Sequence, residues 1–128
     1  MASSTQLFEG ASHFISLAQA KQMTALYRAQ KEDILEPAFR QRNILLTCET
    51  FNRSAFDSIL GEGQCAGIRF YFGMNDDLQV KIIAVGVDLE GNDILPTSMD
   101  VTSPVDGNVA YIVEEGVPCP PICPNPPL

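Results

Sequence analysis

The twelve residues from Val117 to Leu128 limit what this chain can fold into more than any other stretch. Six of its nine prolines crowd here around two cysteines, in the order Val-Pro-Cys-Pro-Pro-Ile-Cys-Pro-Asn-Pro-Pro-Leu. Proline lacks the amide donor and fixes φ, so no helix passes through, and Cys119 and Cys123, each followed by proline, are biased to extended geometry. The expected state is an extended strip. In polyproline II, with three residues per turn, Pro118, Pro121, Pro124 and Pro127 share one edge, and Cys119, Ile122, Asn125 and Leu128 a second. At about 3.1 Å per residue the two cysteine Cα atoms then lie roughly 12 Å apart, beyond the ~7 Å a disulfide tolerates. The alternative is a turn, for instance at a cis proline, that breaks the strip and brings the thiols together.

The rest of the chain has the means to fold. With 128 residues, 45% apolar and 19% charged, it has a globular composition of single-domain size. The expected division is one α+β domain over residues 1–116, opened by a loose leader at 1–14 and followed by the tail at 117–128. No window approaches the roughly 18 uninterrupted apolar residues of a membrane span. Met1 to Gly10 carries neither a basic leader nor an apolar run, so the expected setting is the cytoplasm. The net charge of −8 is unevenly spread: residues 1–73 hold seven basic and seven acidic side chains, whereas 74–128 hold Lys81 alone against nine acidic ones. Such a chain repels phosphate backbones and anionic lipid, so neither nucleic acid nor a membrane is expected as a partner. Five of the eight basic residues fall between Lys21 and Arg42, which leaves self-association or a charged protein partner open.

Periodicity and end signals place the elements. Ser16 with Gln19 forms a capping box before Leu17, Ala20, Met23, Leu26 and Tyr27, which recur at helical spacing up to about Lys31. Pro37 stops continuation by pushing Glu36 out of helical geometry. Ile44 to Cys48 reads as a short strand or buried connector. A second helix is predicted over Ser54 to Leu60, started at Asn52 or Arg53, stopped by Gly61, with Phe56, Ile59 and Leu60 inward. Gly67 to Phe72 alternates Ile68, Phe70 and Phe72 against Arg69 and Tyr71, a strand with one apolar face. Residues 73–78 read as a turn. Val80 to Val87 is apolar on both faces, as in a central strand, and Glu90 to Asp93 reverses the chain into Ile94 and Leu95. Residues 96–107 read as loop, and 108–113 as a last strand or a helical turn. The order predicts α+β, with two helices on one side of a mainly antiparallel sheet.

Reaction signatures are absent from the pattern. The four cysteines and His13 supply enough ligands for one zinc site, but Cys48 and Cys65 stand in separate elements and the Cys-x-x-x-Cys laced with prolines lacks a chelating knuckle. No helix start or basic neighbour near Cys119 and Cys123 depresses a thiol pKa, and Glu114 and Glu115 oppose it. Cys48 and Cys65 read as small core residues. The turn Asp88-Leu-Glu-Gly-Asn-Asp has hard oxygen ligands, but its glycine is fourth rather than sixth, so a plain turn is expected over a calcium loop. Arg69 and Tyr71 share a face that suits an anion. With His13 as the one imidazole, and in the leader, no nucleophile–base pair is predicted, and no enzyme, cofactor or metal is expected.

Three segments taken together, Gly-Ile-Arg-Phe-Tyr-Phe-Gly-Met at 67–74, Val-Gly-Val-Asp-Leu-Glu-Gly-Asn-Asp at 85–93 and the Cys-Pro-Pro-Ile-Cys-Pro ending, carry a resemblance over residues 15–126. The chain resembles a family of short uncharacterised Bacteroidetes-type bacterial proteins with a Cys-Pro-Pro-x-Cys-Pro tail. The resemblance implies a bacterial, cytoplasmic setting and transfers no activity. The function expected from the residues is a non-enzymatic interaction or structural module whose tail, through Pro118, Cys119, Pro121, Ile122, Cys123 and Pro124, serves as a clasp or a docking strip. The alternative is a thiol-based redox or metal-binding protein using Cys119 and Cys123.

Overall fold

The computed structural model describes residues 12–97 and 110–128. The order of elements is α1 (Leu17–Gln30), a single 3₁₀ turn (Pro37–Phe39), β1 (Cys48–Thr50), α2 (Arg53–Leu60), β2 (Gly67–Met74), β3 (Val80–Val87), β4 (Asp93–Ile94) and β5 (Val117–Cys119). The architecture is α+β, as the order of signals predicts. The strands form two sheets rather than one: β1 with β5, and β2-β3-β4. Both are antiparallel. The described residues divide into two compact units, the first built from residues 51–73, 82–97 and 110–116, the second from 12–50, 74–81 and 117–128. The predictions for residues 1–11 and 98–109 lie outside the described residues.

The first unit is organised by burial. α2 starts at Asn52 and stops at Gly61, whose N–H donates to the Asp57 carbonyl. Its Ile59 is fully buried, and Ala84, Val85, Val87 and Ala110 join it in the core. β3 is the central strand of its sheet, which accounts for its two apolar faces. After Val87 the chain reverses through Asp88–Asn92, where Gly91 takes a φ of 87° that a β-carbon would oppose. β4 then pairs with β3 at Gly86↔Ile94 and Val87↔Asp93. Val113 makes an isolated bridge to β3 at Ala84 by reciprocal backbone bonds of 2.8 and 3.0 Å, and the described residues 110–112 before it form neither strand nor helical turn. Three expected inward residues point out: Leu60, Phe70 and Phe72, the last 80% exposed. Among the described residues β2 has a neighbour on one side alone, and its Phe70 contacts Phe56 of α2 at 6.1 Å between centroids.

The second unit is organised by hydrogen bonds. α1 opens on the predicted capping box: Ser16 Oγ accepts from the Gln19 N–H and Gln19 Oε1 accepts from the Ser16 N–H, each at 3.0 Å. It closes with the Lys31 N–H on the Tyr27 carbonyl. Unlike the expected inward stripe, no residue of α1 is buried. Beyond the helix, Arg40 donates to the carbonyls of Glu32, Asp33 and Leu35, and Glu32 accepts from the Gln41 N–H at 2.7 Å. That amide, and the Lys31 ammonium, hold the Glu32 carboxyl below its ordinary pKa. Ile44 is a buried connector whose carbonyl accepts from Val80, and the strand proper starts at Cys48. No helix among the described residues is long and apolar enough to cross a membrane.

Candidate functional site

The proline tail is anchored at both ends within the second unit. At its start, β5 pairs antiparallel with β1 in the register Cys48↔Cys119, Glu49↔Pro118 and Thr50↔Val117. Thr47 fixes that register by donating its N–H to the Cys119 carbonyl at 2.8 Å. A short turn follows, closed by the Ile122 N–H on the Pro118 carbonyl at 3.1 Å. At the far end, the Leu128 carbonyl oxygen accepts from Thr24 Oγ1 at 3.0 Å and from the Arg28 guanidinium at 2.9 Å, two groups one helical turn apart on α1. Arg28 also sits in the last turn of α1, where a cation suits the helix dipole.

The expected straight strip does not form. A disulfide joins Cys119 to Cys123 with their Cα atoms 4.8 Å apart, and the peptide bonds Cys119–Pro120, Pro120–Pro121 and Asn125–Pro126 are cis. The argument from polyproline II spacing fails because proline restricts φ and the preceding residue but leaves the cis form accessible, and each cis bond turns the chain. Of the six residues expected to present a surface, Pro121, Ile122, Cys123 and Pro124 are exposed, Pro118 is half-buried in β5, and Cys119 is 3% exposed. Cys119 faces inward and Ile122 outward, so the predicted shared edge of the strip is split.

Between α1 and the tail lies a groove of about 240 Å³, with Met23, Tyr27, Cys48, Pro124, Pro127 and Leu128 among its walls. Its frame is polar even though its walls are not. Tyr27 Oη donates to the Leu46 carbonyl at 2.6 Å, and Lys31 Nζ to the Leu45 carbonyl at 3.1 Å. Partial burial, and then the Glu32 charge, raise the Tyr27 pKa, which keeps the phenol protonated as a donor. Lys81 pairs with Glu49 of β1 at 3.0 Å. Cys48 and Cys65 are both free thiols and half-buried rather than core residues; Cys65 Sγ donates to the Gly67 carbonyl at 3.2 Å. The roles of Thr24, Arg28 and Cys48 escape sequence reasoning. The spacing of Thr24 and Arg28 places them on one helix face, but a backbone carbonyl as their acceptor leaves no mark in the sequence.

The other candidates resolve into structural pairings. Asp93 binds both Arg69 and Tyr71, so the two side chains expected to suit an anion hold a carboxylate of their own chain. The bond from Asp93 pushes the Tyr71 phenol and the Arg69 guanidinium up in pKa. In the calcium-like turn, Asp88 accepts from the Asn92 N–H at 2.9 Å. Glu62 is the buried acid of the first unit, 7% exposed. Its Oε2 accepts from the Tyr111 N–H at 2.9 Å, its Oε1 has no hydrogen-bond partner among the described residues, and burial raises its pKa against the Tyr111 bond. A β-carbon at Gly86 would stand 2.5 Å from this oxygen, so the glycine makes room for the acid. Among the described residues no group of three or more His, Cys, Asp or Glu side chains is placed to hold a metal ion. No protein-family model, curated protein or solved structure matches this chain.

Proposed function

We propose that the chain is a small non-enzymatic α+β module whose proline tail is an intramolecular clasp, holding α1 to the β1–β5 ladder. The observation that carries this reading is the capture of the Leu128 carbonyl by Thr24 and Arg28. A helix of 14 residues with nothing buried is marginal in water by itself. It therefore depends on groups that pin it, and the tail supplies two of these bonds. Protein contact or self-association is the mode of action in this reading. The described residues of the first unit hold seven acidic side chains against two basic ones, which disfavours nucleic acid as the partner.

Removal of residues 124–128 tests the clasp. The thermal unfolding midpoint is expected to fall, by roughly 4 °C for each kcal/mol lost in a chain of 128 residues. An unchanged midpoint sinks the clasp and leaves the free docking strip. A second reading, thiol-based redox, is favoured by the bonded state of Cys119 and Cys123. In the bonded state the pair offers no thiolate to a metal, so this reading works through thiol–disulfide exchange. A cytoplasmic setting belongs to the same reading, since disulfides there are mostly transient.

A further inference from the structure

We propose that Cys48 is the attacking thiol of an internal exchange that moves the disulfide from Cys119–Cys123 to Cys48–Cys119, opening the turn at 119–123 and leaving Cys123 as an exposed thiol. This rests on the clasp reading, in which the β1–β5 ladder holds Cys119 opposite Cys48. Cys48 is a free thiol directly opposite Cys119 in the β1–β5 ladder. Residues opposite each other in an antiparallel pair project from the same face, with Cα atoms about 4.5–5.5 Å apart. That separation lies inside the window of about 4.4–6.8 Å that a disulfide spans. The register thus sets a second cysteine across the ladder from Cys119, which is itself bonded to Cys123 four residues along the chain.

The step balances without an added oxidant or reductant. The Cys48 thiolate donates an electron pair to Cys119 Sγ, the Cys119–Cys123 bond breaks, and its electron pair leaves on Cys123 Sγ, which takes up the proton that Cys48 gave to solvent. One sulfur–sulfur bond forms and one breaks. Attack at Cys119 rather than Cys123 follows from the register, and it expels the sulfur of the exposed residue. The product staples β5 to β1 and opens the turn at 119–123. Residues 124–128 are then held through the Leu128 carbonyl, with an exposed thiol beside them.

Disulfide mapping on the full chain tests the exchange. Protein is incubated at mildly alkaline pH without added thiol or disulfide, quenched with acid, alkylated, digested and read by mass spectrometry. Wild type is expected to yield a Cys48–Cys119 cross-linked peptide beside the Cys119–Cys123 one, with Cys123 alkylated and Cys65 alkylated throughout. Cys48→Ser should abolish Cys123 alkylation. Cys123→Ser, a change at an exposed position, should form the Cys48–Cys119 bond when oxidised with glutathione disulfide. Absence of that bond from both wild type and Cys123→Ser, with unchanged far-UV spectra, overturns the proposal. The truncation at 124–128 reports on the clasp by its unfolding midpoint alone, so failure of the clasp and failure of the exchange are told apart.

Discussion

The two units of this chain are held by different physics. The first closes around Ile59, Ala84, Val85, Val87 and Ala110, and the buried acid Glu62 is tolerated inside that core. The second buries Ile44 and Cys119 but leaves all of α1 in contact with water, and ties the helix down through Tyr27, Lys31, Thr24 and Arg28 to backbone carbonyls. Their charge differs in the same sense: six acidic and six basic side chains balance in the described residues of the second unit, whereas the first is strongly acidic. Burial is cooperative and hard to undo one residue at a time, but a net hydrogen bond contributes only about 1 kcal/mol. The second unit is therefore the part of the molecule that small chemical changes open.

Substitutions should separate the two cases in a ranked way. Ile59→Ala removes the fully buried side chain of α2 and is expected to cost about 2–5 kcal/mol in denaturant unfolding. A loss below about 1 kcal/mol would break the contrast at its stronger end. Glu62→Gln acts in the opposite direction. A carboxyl whose folded pKa is raised contributes its stability below the unfolded value, near pH 4.3, and loses it as pH rises through the folded one. The substitution should therefore stabilise by about 1 kcal/mol at neutral pH, where the acid is a buried charge, and change little at pH 3. Equal effects at both pH values would remove the acid from the account. The smallest effects belong to α1 and reverse the usual ranking. Tyr27→Phe, which deletes the bond to the Leu46 carbonyl, should cost about 0.5–1.5 kcal/mol, whereas Leu26→Ala, at a 63% exposed position, should stay within about 0.5 kcal/mol. If Leu26→Ala proves the costlier of the two, α1 is held by apolar contact and the contrast fails.

Sequence reading reaches the local elements of both units and misses the long-range pairing of the second. The Ser16–Gln19 capping box, the α2 signals at Asn52 and Gly61, the central strand Val80–Val87 and the reversal at Gly91 are local, and each is encoded by the residues that form it. The β1–β5 ladder is not legible, because three residues are too short to show alternation and Pro118 argues against a strand except at an edge. The same limit hides the site: proline bias describes φ one residue at a time, while the bend of the tail depends on Cys119 finding both Cys123 and the facing β1. The apolar stripe of α1 misleads for a related reason. Helical spacing reports which side chains share a face, and the tail and Leu45–Leu46 meet that helix through polar tips instead.

The ladder also orders events in time. Cys48 and Cys119 are about 70 residues apart along the chain, whereas the β2–β3 and β3–β4 reversals each join neighbours across a few residues. Closing a long loop carries an entropy that local hairpins escape, so the central sheet can assemble early while the β1–β5 pairing waits for a distant encounter. Structure that arrives late through few contacts is also the first to leave. Amide hydrogens of β1 and β5 accordingly belong to the fast-exchanging end of the molecule, and those of β3 to the slowest.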